Sequence, residues 1–196
     1  MTATTGAVAG PDGKLRCAWG LSADDYIAYH DSEWGRPVHG DDELFERLCL
    51  EAFQSGLSWI TILRRREGFR KAFSGFRIAT VADFTDADAE RLLADPGIIR
   101  NRAKIAATLA NAKVLSGWGS GELDALIWSY APDPAARPAP RALSDVPAVT
   151  AESTALAKDL KKRGLRFVGP TTAYALMQAC GLVDDHLADC FVRDAS

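Results

Sequence analysis

Apolar positions along the chain recur every three to four residues, the spacing of helices with one buried face, and no convincing run alternates apolar with polar as a strand would. Asp41-Asp42 offers an N-cap for a helix through about Gly56, in which Leu44, Phe45, Leu48, Cys49, Ala52 and Phe53 share one face. Glu51 follows Leu44 by seven residues, so at 100° per residue it lies roughly 20° past Leu44 and borders the core. Further helices are predicted over Ser58 to Phe73, Thr85 to Leu93, Arg100 to Leu115 and Leu123 to Tyr130. Residues 131–149 hold five prolines and form a stiff, extended connection. Thr150 caps a helix to Arg163, a glycine-containing turn leads into Pro170 to Cys180, and a last helix is expected over Asp184 to Phe191. The pattern is that of an all-α domain over residues 15–192, with a flexible leader at 1–14 and a tail at 193–196.

Composition bounds this picture without redirecting it. A chain of 196 residues, 47% hydrophobic and 25% charged, builds one sizeable core. Its longest apolar runs are a few residues, too short for a membrane helix, and the start lacks the basic and apolar regions of a secretory signal. A cytoplasmic location with reduced thiols is expected. The net charge of −3 conceals an asymmetry that does matter. Residues 21–46 carry eight acids against Arg36 alone, while Arg64, Arg65, Arg66, Arg70, Lys71 and Arg77 face only Glu67. Basic residues gather again at Arg100, Arg102 and Lys104, and at Lys158, Lys161, Lys162, Arg163 and Arg166. Local fields of this kind steer polyanions whatever the net charge, although each cluster also reads as a solvated helix face.

Three groups of residues carry candidate chemistry. His186 and Cys190 stand four apart, and Cys17 with His30 forms a second pair near the other end of the chain. Together they make a Cys2His2 set that would tie the two ends, unless each is an ordinary helix or loop residue. Lys161-Lys-Arg-Gly164-Leu-Arg-Phe-Val-Gly169-Pro-Thr171 describes a basic helix end, a turn with two glycines and a second helix begun by proline. Exposed amides at such a helix start can hold a phosphate oxygen. Trp19, Tyr26, Tyr29, Trp34 and Trp59, together with Glu51, can either wall a pocket for a flipped base or fill an aromatic core.

Taken together, several stretches closely resemble the bacterial DNA-3-methyladenine glycosylase I family. They are Cys17-Ala-Trp19, Tyr26 to Gly35, Leu44 to Glu51, Gln54 to Ile60, Gly97 to Ile105 and Lys161 to His186, in order across about residues 15–192. The resemblance implies a helix-hairpin-helix glycosylase fold with one structural zinc on Cys17, His30, His186 and Cys190. It implies that Glu51 and Tyr29 hydrogen-bond the damaged adenine, that Trp19 and Trp59 stack on it, and that Tyr26 and Trp34 complete the walls. The hairpin residues Lys162, Arg163, Gly164, Gly169 and Thr171 would meet double-stranded DNA, with Leu57 as a wedge.

The expected reaction is hydrolysis of the N-glycosidic bond of 3-methyladenine by a flipped-base mechanism, in a monomeric protein. Asp184 stands where other helix-hairpin-helix glycosylases place a catalytic Asp, so it either acts on the sugar or caps the zinc-ligand segment. Thr171 stands where lyase-type relatives have a lysine, so a monofunctional enzyme is expected. A non-catalytic damage-binding protein is the alternative.

Overall fold

The computed structural model describes residues 6–193. Among these, two short strands, β1 (Val8–Ala9) and β2 (Leu15–Arg16), pair antiparallel, with Val8 opposite Arg16. Ten helices follow: α1 (Asp24–Ser32), α2 (Asp41–Gln54), α3 (Trp59–Leu63), α4 (Arg66–Ala72), α5 (Ile78–Ala82), α6 (Asp86–Ala94), α7 (Arg102–Leu115), α8 (Glu122–Trp128), α9 (Ala151–Lys162) and α10 (Pro170–Ala179). The architecture is mainly helical, as the periodicity predicts. None of the described helices is long and apolar enough to cross a membrane. Residues 1–5 of the expected leader and 194–196 of the tail lie outside the described residues.

Helix α2 is the central element. Leu44, Phe45, Leu48, Leu50 and Phe53 are all buried, and the helix packs against α10, α3 and α8. A row of aromatic rings extends this core, Phe53 lying 4.7 Å from Phe69 and Phe73 stacking on Phe76 at 5.2 Å. Capping follows the sequence at three helix starts: Thr85 and Asp88 form a reciprocal box, Thr150 accepts from the Ser153 amide, and Pro170 opens α10. The α2 start differs, since Gly40 rather than an aspartate stands at its cap position. Asp41 instead reaches across to the Gly121 and Asp124 amides at the start of α8.

Helices α9 and α10 are consecutive and pack against each other across a short turn. Gly164 ends α9 at φ 101°, a conformation that lets the Leu165 amide reach back to the Leu160 carbonyl at 3.0 Å. The turn is then clamped from α7. Buried Asn111 donates to the Arg166 carbonyl at 3.0 Å and accepts from its amide at 2.8 Å.

Several expectations are corrected. Ser58 to Phe73 is two helices, interrupted at Arg65, whose φ of −102° and ψ of 0° leave the helical basin. Helix α1 was not foreseen. Residues 184–191 are not helical: the Ala188 amide bonds to the Pro140 carbonyl, the Phe191 amide to the Leu15 carbonyl and the Leu187 amide to the Cys17 sulfur. These long-range partners take the amides a helix would have used. Residues 8 and 9, grouped with the leader in the sequence, carry a strand of the N-terminal hairpin.

Candidate active site and metal centre

The aromatic residues and the acid meet in one pocket of about 390 Å³, within the ~300–1,000 Å³ range of small-molecule sites. Helix α1 supplies Tyr26 and Tyr29, α2 supplies Glu51, α3 supplies Trp59, and the segments before and after α1 supply Trp19 and Trp34. Trp19 sits edge-on to Trp34 at 5.0 Å and to Tyr26 at 5.6 Å, while Tyr29 and Trp59 lie 5.5 Å apart, tilted by 42°. The indole N–H of Trp59 is buried with no hydrogen-bond partner among the described residues.

Glu51 is 6% exposed and lines this pocket, with no hydrogen bond from its carboxyl to any described residue. Burial pushes its pKa up to about 8, opposed only in part by the charge of Arg47. The Tyr29 hydroxyl is held well above its ordinary value by burial, and then by the charge of Glu51. The sequence position of Glu51, at the border of an apolar face, is therefore realised as an acid beneath aromatic walls.

The four metal-type residues also meet. Cys17, His30, His186 and Cys190 are all buried, with ligand atoms within 4.8 Å of one another. Cys190 Sγ lies 3.6 Å from His30 Nε2 and 3.7 Å from His186 Nδ1, and Cys17 Sγ lies 3.9 Å from the same Nδ1. A tetrahedral zinc with Zn–S of about 2.3 Å and Zn–N of about 2.05 Å sets S···N edges of roughly 3.5 Å, so the set is close to closing on an ion.

The outward ring nitrogens agree with that donor set. His186 Nε2 can only donate to the Trp34 carbonyl, 3.1 Å away, which leaves the Nδ1 lone pair facing the sulfurs in the neutral ring. His30 Nδ1 lies 2.8 Å from Asp31 Oδ1, leaving Nε2 to face inward. Asp31 is in turn gripped by buried Arg16, which also binds Asp12. The cluster also braces the pocket, because Trp34 packs against His186 at 4.7 Å and Trp19 against His30 at 5.2 Å.

Asp184 lies elsewhere. Its Oδ1 accepts from the His186 amide at 3.0 Å, its Oδ2 pairs with Arg193 at 3.2 Å, and it lines a separate cleft beneath the proline-rich connection. The neighbouring Asp185, which the sequence suggests only as a cap beside Asp184, is buried and accepts from Tyr174, Gln178 and Arg137. Gln178 and Gln54 also line the aromatic pocket. Their signal in the sequence is faint: Gln54 ends the amphipathic α2, and Gln178 is a lone amide on the largely apolar α10.

The basic clusters divide by partner. Arg64 pairs with Asp25, Arg66 with Glu33 and Arg70 with Glu46, so acids on α1, just after it and on α2 engage half of the cluster that follows α2. Lys104 is buried and donates to the Phe53 and Ser55 carbonyls at the end of α2. At the hairpin, Arg163 is engaged by Asp159 and Glu122 and lies over the Trp118 ring. Lys161, Lys162 and Arg166 make no side-chain ion pair or hydrogen bond with any described residue. Thr171 is exposed at the start of α10. A shallow depression lined by Ser55, Lys161, Phe167, Gly169 and Thr172 joins the hairpin to the Gln54–Leu57 turn, where Leu57 is 42% exposed.

Comparison with known proteins gives a consistent result. The family described as methyladenine glycosylase matches residues 19–193. The DNA-3-methyladenine glycosylase 1 of Escherichia coli K12 is 47% identical over 178 residues, covering 89% of this chain and 95% of that protein. A DNA-3-methyladenine glycosylase of Haemophilus influenzae is 47% identical over 89% of this chain and 96% of its own length. Among solved structures, a 3-methyladenine DNA glycosylase I superposes with a TM-score of 0.83 at 45% identity, covering 90% of this chain and 98% of that one. The Staphylococcus aureus enzyme, described in terms of 3-methyladenine recognition, superposes with a TM-score of 0.81 at 36% identity, covering 90% and 95% of the two chains.

Proposed function

Because the chain belongs to the methyladenine glycosylase family, we propose that it excises 3-methyladenine from alkylated double-stranded DNA, by extruding the nucleotide into the aromatic pocket and hydrolysing its glycosidic bond. The observation that carries this reading is Glu51, a buried acid with no hydrogen-bond partner among the described residues, under walls of Trp and Tyr. Methylation at N3 leaves adenine cationic while it is joined to the sugar. Cleavage sends the C1′–N9 electron pair to the base and discharges it. Water adds to C1′ and loses a proton, leaving free base and an abasic site.

Glu51 is suited to telling that cation from a normal base. With a pKa of about 8, only about a tenth of Glu51 is ionised at pH 7, so ionising it costs about 1 kcal/mol. A cation about 4 Å away returns roughly 4 kcal/mol at an effective dielectric of 20. Neutral adenine returns little of it. Tyr29 serves as the second hydrogen-bonding group, Trp19 and Trp59 stack on the ring, and Tyr26 and Trp34 close the walls.

The α9–α10 pair is read as the helix-hairpin-helix. The amides that open α10 between Gly169 and Thr171 hold a phosphate, Lys161 and Lys162 add charge, and Leu57 fills the gap left in the duplex. Arg163 supports the hairpin through its own partners. Asp184 is assigned to fastening the His186 segment, a reading supported by its bonds to the His186 amide and Arg193.

Cys17, His30, His186 and Cys190 would hold one zinc, which supplies a cross-link between the ends of the domain; four protein ligands complete a tetrahedral shell. The unbridged cysteines suit the cytoplasm, where thiols stay reduced, and the protein is taken to act as a monomer.

The test is incubation with methylated DNA and chromatography of what is released. Free 3-methyladenine is expected, with its loss in Glu51→Gln and with no borohydride-trappable adduct, since Thr171 offers no amine. Tight binding to abasic DNA with no released base would favour a damage-binding protein instead.

A further inference from the structure

The pocket is lined by a second polar side chain whose orientation is fixed from outside it. Gln178 lines the pocket from α10, one turn beyond Tyr174 on the same face. Both side chains reach Asp185. Its Oδ2 accepts from the Tyr174 hydroxyl at 2.5 Å and from Gln178 Nε2 at 2.9 Å. Its Oδ1 accepts from Arg137 Nη2 at 2.9 Å, and the same nitrogen donates to the Tyr174 oxygen at 3.0 Å.

A glutamine amide is nearly symmetric in shape, and either end can face a given neighbour. Here the neighbour decides. Asp185 is buried, and both its oxygens accept, from the Arg137 guanidinium and the Tyr174 hydroxyl, so it meets Gln178 as an acceptor. Gln178 must therefore give it the NH2 end. The carbonyl Oε1 is left with no partner among the described residues, on a side chain that lines the pocket.

The geometry points to Gln178 as a specificity residue and to Asp185, held by Arg137 from the proline-rich connection, as its positioning residue. Oε1 accepts an N–H from the purine six-position. This rests on the glycosylase reading above and refines its substrate class. Adenine carries an amino group at that position, a donor, whereas guanine carries a carbonyl, an acceptor. A fixed acceptor meets the first with a hydrogen bond and the second with two opposed lone pairs. Leaving buried polar groups mismatched in this way corresponds to about ten- to hundredfold in rate.

The decisive measurement is the ratio of 3-methyladenine to 3-methylguanine released from the same methylated DNA in single turnovers. Gln178→Met keeps the length of the side chain and removes the acceptor, and its ratio should fall about tenfold or more. Asp185→Asn can donate to Oε1, turn the amide over and present NH2 to the pocket. It should lower the ratio at least as far, with metal content equal to the unmodified protein. A general packing defect would slow both bases together and leave the ratio unchanged, and that outcome in Gln178→Met overturns the inference. If Asp185→Asn loses metal or fails to fold, Gln178→Met decides alone. Absence of any methylpurine release by the unmodified protein would instead refute the glycosylase reading itself.

Discussion

Replacing Glu51 by Gln separates what the buried carboxyl costs the fold from what it gives to catalysis. Burial raises the group from 4.5 to about 8. Below pH 4.5 the folded and unfolded states are both protonated, and Glu51 imposes no ionisation penalty. Between 4.5 and 8 the unfolded chain releases the proton while the folded chain keeps it, so stability falls as pH rises. Above 8 both are ionised and the deficit is constant. At about 1.4 kcal/mol per unit, the interval amounts to roughly 5 kcal/mol as an upper figure, and about 3 kcal/mol at pH 7.

Gln carries no charge to desolvate but leaves a buried amide, a pH-independent cost of about 1–3 kcal/mol. The Gln variant should therefore be slightly less stable than the parent at pH 5. By pH 9 it should be more stable by roughly 2–4 kcal/mol. For a chain of this size that difference corresponds to a rise in Tm of about 5–15 °C. Thermal melts followed by circular dichroism at half-unit steps from pH 5 to 9, at constant ionic strength, measure it directly. The reasoning is refuted if the two Tm curves run parallel across that range, or if the parent is the more stable protein at pH 9. The same variant should release 3-methyladenine far more slowly, the usual exchange of activity for stability at a functional site.

Other outcomes follow from the clasp, the hairpin and Asp184. The purified protein should contain one zinc per chain, and Cys190→Ser or a strong chelator should remove it, lower Tm and change the fluorescence of Trp19 and Trp34; a metal-free protein with an unaltered melt would contradict this. Replacing Lys161 and Lys162 together with Ala should weaken binding to all DNA sequences alike and reduce the slope of log K against log salt by about 2, while Arg64→Ala leaves that slope unchanged; titrations from 50 to 200 mM salt decide. Asp184→Asn should keep base release within about threefold of the parent, and a loss of several hundredfold with folding and metal intact would return Asp184 to the sugar.

Much of this was legible in the sequence where local chemistry and tertiary structure agree. Thr85, Thr150 and Pro170 mark helix starts because capping depends on the first turn alone. Glu51 was placed by counting turns from Leu44. What stayed hidden depends on distant partners. Helix α1 buries only Tyr29 and His30, and its other positions serve ion pairs and pocket walls, so it shows no apolar stripe. The i, i+4 spacing of His186 and Cys190 suggested a helix, but the amides of that stretch find Cys17, Pro140 and Leu15. Its two ligands meet all the same, through turns. Basic residues were countable, but that Lys104 is buried against the end of α2 while Lys161 stands unpaired is settled only by packing.

The clasp has a consequence for how the protein is made. Cys190 meets His30 across 160 positions of chain. On a ribosome adding about 5–20 residues per second, the first half of the donor set is synthesised roughly 8–32 s before the second. A pair of ligands cannot hold zinc as four can, so an unfinished chain carries an open clasp. If the four residues hold zinc as proposed, the site closes only after residue 190 has been made, and a chain released short of residue 186 would lack that fastening and stand more open to proteolysis.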